Sequence, residues 1–238
     1  GLVDSEDLPL NVSRETLQDN SVIRRIRSSL VKGILDRLDT LAKENPDTYR
    51  TFYQQFGQML KEGIMVDHLN RERIARLLRF ESTGLDDPSA RASLDEYVER
   101  MSESQARIYY LGGPDSATIR NHPNLEIFRR RKLEVLLLSE PIDEFVMNAL
   151  GSFQGKGLTS IDSEDLGLPE AEDEADPSKT ESSTADAPGL TRVLDLFRSA
   201  LGDRVSEVRV SKRLIDSPCC LVNAEGGLST QMQRILKM

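Results

Sequence analysis

This sequence of 238 residues has no tryptophan, two cysteines and an aromatic content of only 5%. The cysteines are neighbours, Cys219 and Cys220, and adjacent residues do not readily meet the geometry of a disulfide. The chain therefore has no disulfide framework, which fits a reducing compartment. It also has no signal-peptide pattern and no apolar run near the ~20 residues of a membrane-spanning helix. We expect a helix-rich cytoplasmic protein with no membrane partner.

A general surplus of positive charge is also missing, since the formal net charge is −9 at pH 7. Residues 162–186 contain ten acidic residues and a single base, Lys179, which leaves 30 acidic and 30 basic residues in the rest of the chain. Nucleic-acid binding requires a broad basic surface, so we expect no nucleic-acid partner. Nucleic-acid binding through the arginines of residues 71–79 is the alternative, and it can be tested.

Composition divides the chain into three parts. Residues 162–188 are rich in Glu, Asp, Ser, Thr, Ala and Pro, with no large apolar residue after Leu168. Such a segment cannot bury enough apolar surface to offset its conformational entropy, so we interpret it as an acidic disordered linker. It separates a first domain, residues 1–161, from a shorter second piece, residues 189–238.

Apolar periodicity predicts that the first domain begins with helices and continues into a sheet. Apolar residues recur every three or four positions from Ile23 to Leu41, and Asn45–Pro46 then ends this helix. Further helices are predicted at about residues 47–62 and 67–80. Strands are predicted at residues 107–111, 134–138 and 156–161, with helices between them.

The order strand, helix, strand, helix, strand favours parallel pairing. We therefore expect an α/β fold, α+β overall, with a helical segment followed by a small βαβαβ layer. After the linker, a helix at residues 190–201, strands at 205–213 and 219–223 and a helix start at Ser229 predict a partial second α+β domain.

The start of the first helix carries a candidate anion-binding group. Ser13 is a suitable N-cap, and Arg14 falls in the first turn, where the helix dipole disfavours a cation. A guanidinium is a planar fork of donors that suits a phosphate or a carboxylate. Arg14 is therefore either an ordinary solvated arginine or a group that awaits an anion, and Gln18 lies one turn further on.

Three other features have competing interpretations. The basic run Arg129–Lys132 is either a phosphate or nuclear-localisation patch or, as we favour, the positive last turn of a helix. Gly112–Gly113 lies between a strand and a helix but lacks the full pattern of a phosphate loop. His68 and His122 are in no ligand pattern, so we expect no metal site and no histidine-based triad.

Five stretches of sequence, in this order, resemble the heat-shock protein 90 chaperone family, most closely its bacterial members. The resemblance covers nearly the whole chain apart from the acidic linker. It implies the later part of the middle domain and the beginning of the C-terminal domain of a longer chaperone. The stretches are VDSEDLPLNVSRETLQ (3–18), RIYYLG (107–112), LEVLLL (133–138), EPIDEF (140–145) and STQM (229–232).

The resemblance implies roles for residues at the start of the chain. Arg14 matches the arginine that the middle domain supplies to the terminal phosphate of ATP, Gln18 matches its supporting glutamine, and Asn11 belongs to the same loop. ATP and Mg would be held by the N-terminal nucleotide domain of the parent protein. We therefore expect the parent to be an ATPase, and this fragment alone to bind no nucleotide and to be inactive.

The resemblance also implies partners. Client proteins would contact the helix that carries Glu144, Phe145 and Asn148, although Phe145 could instead simply pack on the sheet. The parent would be a homodimer, joined by C-terminal helices that this sequence lacks. The alternative function is a non-catalytic helical adaptor for protein–protein interaction, in which Arg14 is structural or contacts a carboxylate.

Overall fold

The computed structural model of the protein describes residues 21–87, 89–168, 188–211, 213–223 and 229–235. The chain divides into two compact units, Gly1–Arg79 and Phe80–Met238. Arg14, Gln18 and Asn11 lie outside the described residues. The described part of the first unit contains helices α1 (Ser21–Glu44), α2 (Pro46–Val66) and α3 (Arg71–Leu77).

The helices of the first unit pack pairwise around apolar side chains and two tyrosines. The predicted break after α1 is confirmed: the Asn45 side chain caps α2 by accepting the Thr48 N–H at 3.1 Å, and Pro46 is at the first helical position. The apolar stripe of α1 is only partly covered. Leu38 is buried, whereas Leu30 and Ile34 are 44% and 58% exposed.

Helix α3 is shorter than predicted, and local hydrogen bonding explains both ends. The Asp67 carboxylate accepts the Asn70 backbone N–H at 3.2 Å and its side-chain amide at 2.8 Å, which turns the chain before Arg71. At the other end Leu78 has extended backbone angles, so α3 stops at Leu77. Apolar periodicity alone does not predict either turn.

The described part of the second unit contains a mixed sheet and six helices, α4–α9. It also contains two single 3₁₀ turns, Pro123–Leu125 and Gly202–Arg204. The strands are β1 (Glu81–Ser82), β2 (Arg107–Gly112), β3 (Val135–Leu138), β4 (Ser152–Phe153) and β5 (Lys156–Ser160). The helices are α4 (Leu94–Arg100), α5 (Ser116–Arg120), α6 (Glu126–Arg130), α7 (Asp143–Leu150), α8 (Pro188–Leu201) and α9 (Thr230–Ile235).

The strand order is β1-β3-β2-β5-β4, with β2 central and parallel to both β3 and β5. Tyr110 lies opposite Leu136 on one side and Ser160 on the other. The predicted α/β fold and its three parallel strands are therefore confirmed. The sequence patterns missed two antiparallel edge strands of two residues each, β1 and β4, which are too short to show a period.

Alternating side chains of the central strands face opposite sides of the sheet. On one side, Tyr109 and Leu111 of β2 join a buried cluster with α5 and α6, in which the Tyr109 and Phe128 rings meet edge to face at 4.8 Å. On the other side, α7 lies over Gly112 and packs on β5. The parallel strands are thus covered on both faces, as their continuous apolar runs predict.

The chain stays packed on the sheet beyond the predicted boundary at residue 161. Leu166 is buried in the Tyr109 cluster, and Arg107 binds the Asp165 carboxylate at 2.9 Å. Of the predicted linker, residues 162–168 are therefore in contact with the sheet. Residues 169–187 lie outside the described residues, so the three-part organisation stays a prediction.

The two strands predicted for the second piece are not formed, because no strand occurs within residues 205–211 or 213–223. These backbone segments bind side chains rather than neighbouring strands, with only Asn223 in a single bridge to Ser163. The helical predictions are confirmed. Helix α8 ends at Leu201 and is followed by Gly202, whose positive φ of 50° suits glycine, and α9 follows Ser229.

Candidate functional site

The carboxyl ends of the three parallel strands meet at one edge of the sheet. Gly112 ends β2, α7 begins shortly after β3, and Asp162 follows β5. The chain leaves β2 toward α5 and α6 on one face of the sheet and leaves β3 toward α7 on the other, and open α/β sheets usually form their ligand crevice at such a divergence. We call the three acidic residues at this edge, Asp143, Glu144 and Asp162, the carboxyl-end cluster.

Glu144 is the best enclosed of the three predicted client-binding residues, with 3% of its surface exposed. Its carboxylate lies directly over Gly112: a Cβ at that position would overlap Oε1 and sit 2.7 Å from Cδ. On its other side, the Ser229 hydroxyl donates a hydrogen bond to Oε2. Glu144 therefore connects β2 to the start of α9, and a side chain on residue 112 would displace it.

Ser229 has a second role as the N-cap of α9. Its Oγ accepts the Met232 backbone N–H at 3.0 Å, and the Met232 side chain is buried. Asn148 donates its side-chain amide to the Met232 sulfur at 3.6 Å but is otherwise exposed, and Phe145 is half-buried. The three predicted residues thus share one surface of α7, and part of it is covered by the protein's own C-terminal segment.

Burial sets the proton affinities of the carboxyl-end cluster. Loss of solvent raises the pKa of Glu144, an effect opposed by the Ser229 hydrogen bond and increased by the charges of Asp162 and Asp143. Loss of solvent also raises the pKa of Asp162, which accepts the Asn124 amide at 2.8 Å. Burial raises the pKa of nearby Tyr110 to about 12. Glu144 Oε1 is buried and accepts no hydrogen bond from the described residues.

Glu126 forms a second contact with the C-terminal segment. Its carboxylate accepts the backbone N–H groups of Ile215 at 2.7 Å, Asp216 at 3.1 Å and Ser217 at 3.2 Å, together with the Ser217 hydroxyl. These bonds lower the pKa of Glu126 to about 2. No sequence signal reveals this contact, because its partners are some 90 positions apart.

Several competing interpretations of the sequence can now be compared with the structure. Gly113 is explained by packing, since a Cβ there would lie 2.6 Å from Cγ1 of Ile119. On α3, Arg73 binds Asp36 at 2.7 Å and Asp39 at 3.1 Å. Just beyond α3, the Arg79 guanidinium lies 4.7 Å from the centre of the Tyr49 ring, so both arginines have partners within their own unit. No helix in the described ranges is long and apolar enough to cross a membrane.

Comparison with known proteins decides the family. The family model described as "Hsp90 protein" matches residues 1–238, the entire chain. The chain belongs to the Hsp90 family. The resemblance inferred from the five sequence stretches is therefore confirmed.

Curated Hsp90-family relatives are similar to this chain throughout. The "Chaperone protein HtpG" of Alkalilimnicola ehrlichii is 49% identical over 237 residues, which is 100% of this chain and 36% of the relative. The protein of the same name from Shewanella amazonensis is 46% identical over 237 residues, 100% and 37% respectively. That from Salmonella typhi is 46% identical over 235 residues, 99% and 37%. This chain spans a little over a third of the length of these relatives.

Proposed function

We propose that this Hsp90-family chain is part of an ATP-dependent molecular chaperone. It supplies Arg14 to ATP hydrolysis in a separate nucleotide domain and contacts unfolded client proteins through α7. The observation that carries the proposal is the similarity, along the whole chain, to proteins named as chaperones. The region around Arg14 falls within the matched residues, which span 1–238.

The chemistry of the proposed Arg14 role is electrostatic. The transferred phosphoryl group carries charge on its oxygens, and a guanidinium held beside them stabilises the charge that develops in the transition state. Gln18 would support the guanidinium from the next turn of the helix, and Asn11 would complete the loop. Arg14 would thereby contribute to a site whose nucleotide, and its Mg, another domain of the parent binds.

Substitution of Arg14 in the full-length parent protein tests this role. We expect Arg14→Ala to lower steady-state ATP turnover by about tenfold or more while ATP affinity changes little, because the arginine acts in the transition state. Arg25→Ala is the matched control, since Arg25 is an exposed arginine on α1. Unchanged turnover in Arg14→Ala would contradict the role and favour the adaptor alternative.

The proposed client surface has an accessible part and an enclosed part. Asn148 is exposed and Phe145 is half-buried, so a bound polypeptide could reach both without rearrangement. Glu144 is enclosed by Ser229, so a client could reach its carboxylate only by displacing the start of α9. We therefore assign the first contacts to Phe145 and Asn148.

Binding of a fluorescently labelled unfolded protein to the full-length parent tests the client surface. We expect the double variant Phe145→Ala/Asn148→Ala to weaken binding by about fivefold, through loss of an aromatic contact and a hydrogen bond. Exposed Gln154, on the β4–β5 turn, provides the control variant Gln154→Ala. If the double variant binds like the control, the client surface lies elsewhere.

A further inference from the structure

Helix α1 carries a shallow apolar groove of about 330 Å³ on its exposed side. Two rows of residues line the groove, and each row advances four residues at a time along the helix. The side chains of Leu30 and Ile34 in these rows are exposed, whereas that of Leu38 is buried. We call this surface the α1 groove. Its lining residues are Ser29, Leu30, Gly33, Ile34, Arg37 and Leu38.

Gly33 leaves an opening in the middle of the α1 groove. It is exposed, and a Cβ at this position would meet nothing within 4 Å. Its φ is not positive, so neither packing nor the backbone requires a glycine there. Glycine is less favourable than alanine inside a helix, so the chain gives up helix stability at this position. Leu30, Gly33, Ile34 and Arg37 stand at positions i, i+3, i+4 and i+7, the four positions that form a hole for one side chain of a neighbouring helix.

An arginine lies at each end of the exposed apolar pair. Arg27 precedes Leu30 by three residues, and Arg37 follows Ile34 by three, so the four residues share one face of α1. At the rise of an α-helix, the two arginines are about 15 Å apart along the helix axis. Both are exposed, and neither forms a hydrogen bond or an ion pair with any residue in the described ranges.

The acidic residues of α1 do not neutralise these two arginines. Asp36 and Asp39 bind Arg73 of α3, at 2.7 and 3.1 Å. The remaining acidic residue of α1 is Glu44, at its last position. The α1 groove is therefore an apolar hole between two cations that have no carboxylate from their own helix.

These charges decide between three kinds of occupant. If two copies of α1 packed groove to groove, in either direction, the arginines of one copy would lie against those of the other, and like charges repel. A helix that binds a lipid surface needs a broad apolar face, whereas this face exposes two apolar side chains between its cations. A polypeptide that carries negative charge complements the groove.

We propose that the α1 groove binds an acidic amphipathic helix of a partner protein. One apolar side chain of that helix enters the hole over Gly33, and its neighbours cover Leu30 and Ile34. Carboxylates about ten residues apart on the partner helix accept charge-assisted hydrogen bonds from Arg27 and Arg37. The groove is on the unit Gly1–Arg79, whereas α7 is on the other unit, and the proposal does not depend on the proposed chaperone function.

Fluorescence anisotropy of a labelled probe peptide, titrated with the whole chain, tests the proposal. The probe is a helical peptide of about 18 residues, long enough to span the groove, built from alanine with a stripe of leucine and a glutamate toward each end. A second peptide has lysine in place of both glutamates. We expect saturable binding of the glutamate peptide, and binding of the lysine peptide that is at least about tenfold weaker.

Two variants of the chain separate the hole from the charges. Gly33→Leu fills the hole and should weaken binding of the glutamate peptide by about tenfold. Because a Cβ at position 33 meets nothing and leucine favours the helix, this variant stays folded, which circular dichroism checks. Arg27→Gln removes one charge-assisted contact and should weaken binding by about fivefold.

Arg25 offers the matched control, because it is an exposed arginine on the opposite side of α1. We expect Arg25→Gln to change the affinity by less than about twofold, the effect of one screened surface charge. Absence of saturable binding would overturn the proposal, and so would equal weakening by Arg25→Gln and Arg27→Gln. Self-association of the chain, or binding to phosphatidylserine vesicles, that Gly33→Leu abolishes would also overturn it, because it would assign the groove to a second copy or to a membrane.

Discussion

Charged side chains lie at both ends of the parallel strands, but they are buried at the carboxyl end and mostly exposed at the amino end. At the carboxyl end, Glu144 and Asp162 are buried and hold other parts of the same chain. At the amino end, Arg100 and Lys132 are both exposed, and Glu134, which Arg100 binds, is only partly buried. The comparison teaches that one sheet can bury charge at one end to fix its own chain and leave charge exposed at the other end.

The largest effect on stability should come from a substitution of Gly112, at the carboxyl end of the parallel strands. In Gly112→Ala the new methyl group would overlap the Glu144 carboxylate, which has little room to move and would lose Ser229. We expect a loss of about 1–3 kcal/mol in the free energy of unfolding, as for other overpacked sites. Urea denaturation measures it.

Gly157→Ala is the matched control for that variant. Gly157 is in β5 of the same sheet, and a Cβ there would meet nothing within 4 Å. We expect its unfolding free energy to change by no more than about 0.5 kcal/mol. Equal losses in the two variants would show that Gly112 is an ordinary strand glycine.

The second effect concerns the Glu126 contact with residues 215–217. Glu126→Gln keeps one acceptor oxygen but loses the charge, so the amides of Ile215, Asp216 and Ser217 should exchange with deuterium several-fold faster. The Asn223 amide is an internal control, since it donates to the Asp162 backbone instead. Unchanged protection at residues 215–217 would contradict the contact.

The same contact has a defined pH dependence. The pKa of Glu126 is lowered on folding, so its contribution to stability is complete above its unfolded pKa and is lost as pH falls toward about 2. Amide chemical shifts of residues 215–217 should therefore follow a transition well below the ordinary range for glutamate. A midpoint near the ordinary glutamate value would contradict the assignment.

A smaller effect should come from Glu144 itself. Its pKa is raised on folding, so wild-type stability falls as pH rises through the folded-state pKa. Glu144→Gln removes this ionisation and keeps an oxygen that can accept the Ser229 hydroxyl. We expect this variant to gain about 1 kcal/mol relative to wild type at pH near 8, and little near pH 4.

Glu103→Gln controls for the change in net charge, because Glu103 is exposed. Thermal denaturation across pH compares the two variants. If Glu103→Gln shows the same pH-dependent gain, the effect comes from overall charge and not from burial of Glu144.

The smallest effect concerns the amino end. Lys132→Gly should stabilise the protein by about 0.5–1 kcal/mol by relieving the positive φ, whereas Lys132→Ala, which keeps a Cβ, should not. Urea denaturation of both variants measures the difference. Equal stability of the two variants would show that the backbone at residue 132 is not strained.

The sequence predicted what depends on local patterns. The three parallel strands are continuous apolar runs, and the break at Asn45–Pro46 depends on two neighbouring residues, so both were found. The strands expected at 205–213 and 219–223 were wrong, because alternating side chains cannot tell whether a partner strand is present. The segment between them, residues 215–217, instead donates its backbone N–H groups to Glu126, far away in the sequence.

For the candidate sites too, local motifs were predicted from the sequence and contacts between distant residues were not. Glu144, Phe145 and Asn148 were identified because they lie on a helix that resembles a contact surface of a known family, and they do share the α7 surface. Burial of Glu144 under Ser229 depends on a contact across 85 positions, which no motif displays. The cavity at the amino ends of β2 and β3 is lined by residues from 83 to 134, which only the folded sheet brings together.

The most direct test of the proposed role in ATP hydrolysis is a structure of the full-length parent with a non-hydrolysable ATP analogue bound. We predict that the Arg14 guanidinium lies within about 3 Å of an oxygen of the terminal phosphate. An Arg14 side chain that points into solvent, while the nucleotide site is closed, would contradict the role.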